Sequence, residues 1–309
     1  MVIASIDIGT NTVIMLIAKI DSRNKLIPLV NEYRMPRIGA ELKPGGKILP
    51  EKVLELMEII EDYVSIANHF QSDIILATAT NAFRIASNAS NIVKAILEKY
   101  HLEVNIISGE HEAMLSYLGV ITGSYNPKDC LVIDIGGGST EVIRGTKNSI
   151  SFRKSFPIGA VSAKEKFLIS NPPTNNRLYE FNIHLNEIFL ELEKQKGSGM
   201  NAVAIAGTPT TLACIKSKIK DYDEEIIEGS FLTTKEVTDY ANELSLLDSE
   251  SIKLNYGNVM KGREDIILAG TLILAKLMNK LNLKEIKVSS RGIRYGAIAY
   301  YLQNVEKDQ

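Results

Sequence analysis

The sequence predicts an α/β protein built as two similar domains, and three observations carry that prediction. Short apolar runs rich in Val and Ile, bounded by Gly, Asn, Asp and Pro, alternate with longer segments whose apolar residues recur at helical spacing. A strand-turn-strand motif occurs twice, as Ile6-Asp7-Ile8-Gly9 near the N-terminus and Ile133-Asp134-Ile135-Gly136 in the middle. Each copy leads through a small polar turn (Thr10-Asn11-Thr12; Gly138-Ser139-Thr140) into another apolar run, so each half carries one hairpin. The length, 309 residues, is enough for about two domains with sizeable cores. The expected division is 1–123 and 124–309, with Gly123–Lys128 as a hinge and a final helix at about 293–303 that can pack back on the first domain.

Composition removes several function classes. A hydrophobic share of 45% with 23% charged residues is that of an ordinary globular protein. The net charge of −2 gives no global basic field for nucleic acid or an anionic membrane, so a polyanion site has to be a local cluster. Cys130 and Cys214 stand far apart in apolar company and read as buried free thiols, which fits a cytoplasmic protein. The N-terminus is a strand that reaches Asp7, not a signal peptide. The apolar stretch Ile266–Leu277 is broken by Gly270, Thr271 and Lys276 and is too short to span a membrane. His69, His101, His111 and His184 are scattered without metal-ligand spacing, so no zinc site is expected.

Met1–Ile20 is the first hairpin and Lys25–Tyr33 a third strand. The following loop, with Arg34, Arg37, Lys43, Gly45, Gly46 and Lys47, is either a polyanion contact or a solvated connection. Pro50 opens a helix to about Phe70, with Val53, Leu54, Met57, Ile60 and Val64 at helical spacing. Asp73–Thr78 is a buried strand ending in Thr78-Ala79-Thr80-Asn81, at the end of a strand where open α/β sheets hold ligands. Arg84, one turn on, is an anion partner or a surface ion pair. Ser90–Tyr100 is a helix and Val104–Ile107 a strand. Ser108-Gly109-Glu110-His111-Glu112-Ala113 then opens a helix to about Thr122. Acids suit a first helical turn. Residues two apart do not share a face, which leaves one glutamate to cap and the other to meet a ligand.

Cys130–Arg144 holds the second hairpin. Its turn, Asp134-Ile135-Gly136-Gly137-Gly138-Ser139-Thr140-Glu141, combines glycines, which let backbone N–H groups approach an anion, with two acids that repel a bare phosphate. Both features are accommodated when a divalent cation, Mg²⁺ or Mn²⁺, lies between the acids and phosphate oxygens. A plain glycine-rich hairpin is the other reading, and the first copy of the motif argues against it. Ser149–Pro157 is a strand, Val161–Leu168 a helix, Asn171–Asn176 a loop and Leu178–Lys196 an amphipathic helix. Ala202–Ala206 is a strand whose end, Gly207-Thr208-Pro209-Thr210-Thr211, opens a helix from about Leu212. That turn offers N–H groups and hydroxyls to a phosphate or nucleotide, or serves only as a cap. Asp221–Glu228 reads as solvated acidic surface. Thr233–Leu247 is a helix capped by Thr234, and Gly262-Arg263-Glu264-Asp265 opens a long one over Ile266–Leu281. Glu285–Val288 is the last strand, and Arg291–Gly296 leads into the final helix.

With these motifs in hand, the chain resembles the exopolyphosphatase / guanosine pentaphosphate phosphohydrolase (Ppx/GppA) family, in a short two-domain form. The resemblance runs essentially the length of the chain, and no single motif is specific. The combination is: Ala77-Thr78-Ala79-Thr80 with Arg84, Ile107–Ala113, Asp134–Glu141 and Gly207–Thr211. It implies two ribonuclease-H-like domains of the actin-like ATPase superfamily with the active site in the cleft between them. It implies metal-dependent hydrolysis of a terminal phosphoanhydride, in inorganic polyphosphate or a phosphorylated guanosine nucleotide. By the same resemblance Glu112 activates the attacking water, and Asp134 and Glu141 hold the metal with Asp7 as a third candidate. Backbone amides around Gly9, Thr10 and Asn11 and around Gly136–Ser139 cradle phosphates, and Arg84 neutralises charge. A homodimer is also implied.

Departures from the family pattern are Ser290 where an acid commonly precedes the late Arg-Gly pair, Tyr295 where an acid commonly follows the second arginine, and His111 for a frequent glutamate. Chains of this length lack the added helical domains of longer relatives, which favours short chains or nucleotides as substrates. The competing readings are an ATPase or kinase of the same superfamily, which needs an acceptor-binding base, and a non-catalytic nucleotide or phosphate sensor.

Overall fold

The structure is a computed structural model, and it describes residues 1–123, 129–147, 149–196 and 201–305. In chain order, Val2–Ile8 (β1), Val13–Ile20 (β2) and Leu26–Arg34 (β3) form an antiparallel meander. Pro50–His69 (α1) leads to Ile74–Ala79 (β4), parallel to β1. Asn81–Ile85 (α2) and Ala89–Tyr100 (α3) lead to Val104–Ile106 (β5), parallel to β4, and Gly109–Ile121 (α4) follows. A second meander comprises Cys130–Ile135 (β6), Thr140–Gly145 (β7) and Ile150–Phe156 (β8). After Ala160–Lys166 (α5) and Asn175–Ile188 (α6), Asn201–Ile205 (β9) runs parallel to β6. Gly207–Lys216 (α7), Glu224–Ile227 (α8), Phe231–Thr233 (β10), Thr234–Ser245 (α9), Ser249–Tyr256 (α10) and Ile267–Lys280 (α11) precede Glu285–Val288 (β11), parallel to β9, and Ile293–Val305 (α12).

The chain forms two units, Met1–Asn126 with Arg291–Gln309, and Pro127–Ser290. The first sheet has the order β3-β2-β1-β4-β5 and the second β8-β7-β6-β9-β11, with β10 added antiparallel at its edge. The same meander followed by the same two parallel strands therefore occurs twice. This is the ribonuclease-H-like order that the resemblance implies, and the repeated hairpin motif is its sequence trace. In each unit the turn of the first hairpin lies at the C-terminal end of the central parallel strand, which in open α/β sheets is the ligand-binding edge.

Each unit has its own core. In the first, Ile6, Ile8, Met15 and Ile17 pack with Ile60 and Tyr63 of α1, all buried. In the second, Ile133 and Val142 pack with Phe181, Phe189, Ile273 and Leu277. On the other face of the first sheet, Tyr295 and Ile298 of α12 pack with Ile3, Leu16 and Ala18.

The second unit ends at Ser290, and the final helix, expected as able to pack back on the first domain, is part of the first unit. The contact is unusually close: a Cβ on Gly296 would lie 1.8 Å from the Leu115 carbonyl oxygen, and one on Gly119 would lie 2.1 Å from that of Gly292. Residues 124–128 of the expected hinge lie outside the described residues.

Other expectations change in detail. The helix expected over Leu178–Lys196 is α6 followed by a 3₁₀ helix, Leu190–Gln195. Phe189 and Leu192 are both fully buried, and the tighter turn keeps residues three apart on one face. The cap of α9 is Thr233: its hydroxyl accepts from the Glu236 amide while Glu236 Oε2 accepts from the Thr233 amide. The acidic stretch Asp221–Glu228 is exposed for most of its length, as expected, and also folds locally: Asp223 caps α8, and Ile227 is fully buried. Cys130 and Cys214 are buried free thiols, and burial, with a smaller contribution from Asp129, pushes the Cys130 thiol up to about 12. Among the described residues no helix is long and apolar enough to cross a membrane.

Gly296→Ala is expected to lower unfolding free energy by about 1–3 kcal/mol, the usual cost of overpacking, read by urea denaturation; an unchanged midpoint would show slack between α4 and α12.

Candidate active site

The two hairpin turns are built alike. Gly9 N–H donates to Thr12 O at 2.9 Å, and Gly136 N–H donates to Ser139 O at 3.0 Å. Matched this way, Asp7 corresponds to Asp134, Asn11 to Gly138 and Ile14 to Glu141. Each turn is also clamped from outside by a later segment. In the first unit Gly39 N–H donates to Thr10 O at 2.9 Å and Arg37 N–H to Asn11 O at 3.1 Å. In the second, Ala160 N–H donates to Gly136 O at 2.9 Å, Val161 N–H to Gly137 O at 2.8 Å and Ser162 Oγ to Gly138 O at 3.3 Å. A glycine stands at the closest approach of each clamp. A Cβ on Gly39 would meet Thr10 Cγ2 at 2.3 Å, and one on Gly159 would meet the Gly136 and Gly137 carbonyls at 2.6 Å.

A trans peptide holds its C=O and the following N–H on opposite sides. With the carbonyls of Thr10 and Asn11 turned into one clamp, the N–H groups of Asn11 and Thr12 face away from it. With the carbonyls of Gly136, Gly137 and Gly138 turned toward α5, the N–H groups of Gly137, Gly138 and Ser139 face away from α5. Consecutive N–H groups aimed together form an anion-binding concavity. Asn11 is 5% exposed, and neither amide atom of its side chain has a hydrogen-bond partner among the described residues. Such an orphaned amide costs about 1–3 kcal/mol and is more typical of a binding site than of a structural turn. The basic loop after β3 is thus neither solvated throughout nor shown to hold an anion. Its Pro36–Gly39 portion is the clamp, with Ile38 buried, while Lys43 and Lys47 are exposed.

Asp134 and Glu141 are register partners across β6 and β7, which puts their side chains on one face about 4.5–5.5 Å apart at Cβ. Asp134 is 6% exposed and Glu141 fully buried, and Ser155 Oγ of β8 donates to Glu141 Oε1 at 2.6 Å. Two carboxylates opposed in a buried sheet repel each other unless a cation or proton lies between them. The pair fits Mg²⁺ or Mn²⁺, ions that take one or two carboxylates and fill their remaining positions with water and phosphate oxygens. Among the described residues no group of three His, Cys, Asp or Glu could hold a metal. Asp7 faces Ile14, so the first hairpin has one acid where the second has two.

Glu112 and Arg84 meet in the first unit at the same strand edge as the Gly9 turn. Thr80 N–H donates to Ile8 O at 3.1 Å and Ile107 N–H to Ala79 O at 3.0 Å, which brings the ends of β1, β4 and β5 level. Arg84 Nη1 donates to Ile107 O at 3.0 Å and to Glu112 Oε2 at 2.5 Å. The Glu112 side chain is only 7% exposed and that of Arg84 21%, so this ion pair is not a surface one. The cap of α4 is Ser108, whose hydroxyl accepts from the His111 amide at 3.1 Å. Neither glutamate caps: Glu110 is exposed and Glu112 points inward.

In the second unit, α7 starts at Gly207, not near Leu212. Ala206 (φ +71°, ψ −169°) reverses the chain at once after β9, in a region that only glycine occupies comfortably. Of the threonine hydroxyls expected to face a phosphate, that of Thr210 is used internally. Thr210 Oγ1 donates to Ala206 O, and Thr208 Oγ1 sits where a Cβ on Gly270 would lie 2.0 Å away. What α7 presents is its backbone N-terminus, with the Arg263 guanidinium lying over Gly207, where a Cβ would come within 1.5 Å of Nη1. Arg263 was visible in sequence only as part of a helix-opening run; no spacing linked it to Gly207.

The positions that depart from the family pattern are also placed. Ser290 N–H donates to Glu228 Oε2 at 2.7 Å and its hydroxyl lies 2.5 Å from Glu224 Oε1 and 2.9 Å from Glu228 Oε2, so α8 and the residue after it bring carboxylates to the end of β11. Tyr295 is fully buried in the core beneath α12.

Residues 16–305 match the Ppx/GppA phosphatase family, and the chain belongs to it. It is 31% identical to a bifunctional 3-dehydroquinate synthase/phosphatase of Fusobacterium nucleatum over 97% of this chain and 46% of that protein. The chain therefore spans less than half the length of that relative. It is 27% identical to exopolyphosphatase 2 of Mycobacterium tuberculosis over 90% of both chains. It is 29% identical to a guanosine-5'-triphosphate,3'-diphosphate pyrophosphatase of Pseudoalteromonas translucida, over 96% of this chain and 58% of that one. Among solved structures, the Aquifex aeolicus member of the family superposes with a TM-score of 0.84 at 30% identity, covering 98% of each chain.

Ala206→Gly is expected to raise the melting temperature by about 1–4 °C, because it relieves part of the roughly 1–3 kcal/mol that such a conformation costs; a lower melting temperature would show that the alanine side chain stabilises this turn.

Proposed function

We propose that the protein hydrolyses the terminal phosphoanhydride of inorganic polyphosphate or of a guanosine pentaphosphate by water attack, releasing orthophosphate. The observation that carries this reading is the buried Asp134–Glu141 pair flanking a turn whose Gly136, Gly137 and Gly138 carbonyls are taken by α5, which turns its amides the other way. A phosphate with its divalent cation satisfies both at once, and neither does so alone. The names of the relatives support the two substrate classes.

In this reading the amides of Gly137, Gly138 and Ser139, and those of Asn11 and Thr12, bind phosphate oxygens. Gly9 and Gly136 shape the turns, and Thr140 fixes the second one through its hydroxyl bond to Ile158 O. Gly207 and Thr208 contribute the α7 N-terminus. Asp134 and Glu141 hold Mg²⁺ or Mn²⁺, with Asp7 as a third candidate, and the ion when bound neutralises charge on the transferred group. Glu112 orients the attacking water and takes its proton as the new P–O bond forms. The bridging P–O bond breaks, and the shortened chain leaves with its oxygen. Most of the catalysis is positioning and electrostatics, as phosphoryl transfer allows. A cytoplasmic location and a homodimer complete the proposal.

Phosphate release should be measured with Mg²⁺ on short polyphosphate, long polyphosphate, guanosine pentaphosphate and ATP. Glu112→Gln is expected to cut turnover about 10²–10⁴-fold, the scale of general-base loss, with substrate binding retained. Asp134→Asn and Glu141→Gln are expected to raise the Mg²⁺ concentration needed for half-maximal rate by about tenfold or more; an unchanged metal titration would remove the pair from that role. Tight binding without release from any substrate would establish a sensor instead.

A further inference from the structure

Arg84 holds Glu112 through Nη1 alone. That nitrogen spends its two hydrogens on Glu112 Oε2 and Ile107 O. The opposite edge of the guanidinium, Nε with Nη2, has no hydrogen-bond partner among the described residues. A guanidinium edge of two parallel N–H groups matches two oxygens of a phosphate, whereas an ammonium is a point charge without that geometry. The group is also held rigidly. Ile107 is the residue that leads β5 toward α4, and its N–H is fixed to Ala79 O. Arg84 N–H is fixed to Thr80 O, one residue beyond the end of β4.

We infer that Arg84 is a positioning residue that sets Glu112 in register with the terminal phosphate. Its Nε–Nη2 edge takes two oxygens of that phosphate while Nη1 keeps Glu112 Oε2, so one planar group fixes the distance and direction from the base to the phosphorus. The inference rests on Glu112 being the base. It differs from a charge-neutralising role, because a neutralising cation need not touch Glu112. It differs from a purely structural ion pair, because it requires the second edge.

The test is a double-mutant cycle with Arg84→Lys and Glu112→Gln, using short polyphosphate for kinetics and inorganic phosphate for calorimetric binding. Lysine keeps the charge and loses the two-edged geometry. Arg84→Lys is expected to lower kcat by about 100-fold and to weaken inorganic phosphate binding by about tenfold, with the binding still measurable by calorimetry, which also shows that the site is folded. In the Glu112→Gln background the same change is expected to lower kcat by less than about threefold, because both act through one group. A wild-type kcat with raised KM in Arg84→Lys would overturn the inference and leave Arg84 as a charge. A 100-fold loss that multiplies with that of Glu112→Gln would overturn it by showing independent action. If Glu112→Gln alone turns over normally, it is the base assignment that fails, and that result is read from the single variant.

Discussion

The site depends on where a handful of peptide carbonyls point. In both hairpin turns a later segment of the chain takes the carbonyl oxygens, and the rigidity of the peptide unit then aims the amides the other way. The second clamp serves two purposes at once. The N-terminus of α5 starts on the carbonyls of Gly136 and Gly137, so the same bonds satisfy the first amides of a helix and orient a binding turn. Gly39 and Gly159 are required for contact, not for conformational freedom, since a side chain on either would push its clamp off the turn.

Duplication supplied two such turns, and their acids have diverged. In the second unit two carboxylates face each other across the strands; in the first, Ile14 takes the partner position, and a further buried carboxylate, Glu112, stands beside Arg84 two strands along. The α8 region is a comparable case. The backbone and hydroxyl of Ser290 are met by Glu228, so a carboxylate stands at the end of β11 although the strand itself does not encode one. Position along the chain and position in space are separable in this way wherever a short helix packs against a strand end.

Much of this was legible in the sequence. The hairpins, the strands after them and α1, α3 and α11 follow from apolar periodicity and from glycines at turns, because those signals are local. The Asp134–Glu141 pair was legible because hairpin register follows from the turn. The clamps were not, since Gly39 and Gly159 announce nothing until they meet a turn far back in the sequence. Arg263 over Gly207 is hidden for the same reason. The start of α7 was misplaced because Ala206 adopts a conformation that its residue type disfavours. The acidic run at 221–228 is largely exposed as its charge suggests, but the short helix that Ile227 anchors in the core left no signal in it.

The closeness of α12 to α4 bears on how the chain assembles during synthesis. The first unit is split in sequence, with its closing helix emerging only after the whole of the second unit. The second unit possesses all of its strands before α12 exists, so it can complete a cooperative core while the first remains open along the face that Tyr295 and Ile298 will cover. The usual N-to-C order is thereby inverted, and the late closure spans a loop the length of a domain, an entropic cost that grows only slowly with length. Until that closure, the helix bearing Glu112 lacks the packing partner that α12 provides, so the surroundings of the Arg84–Glu112 pair are completed last.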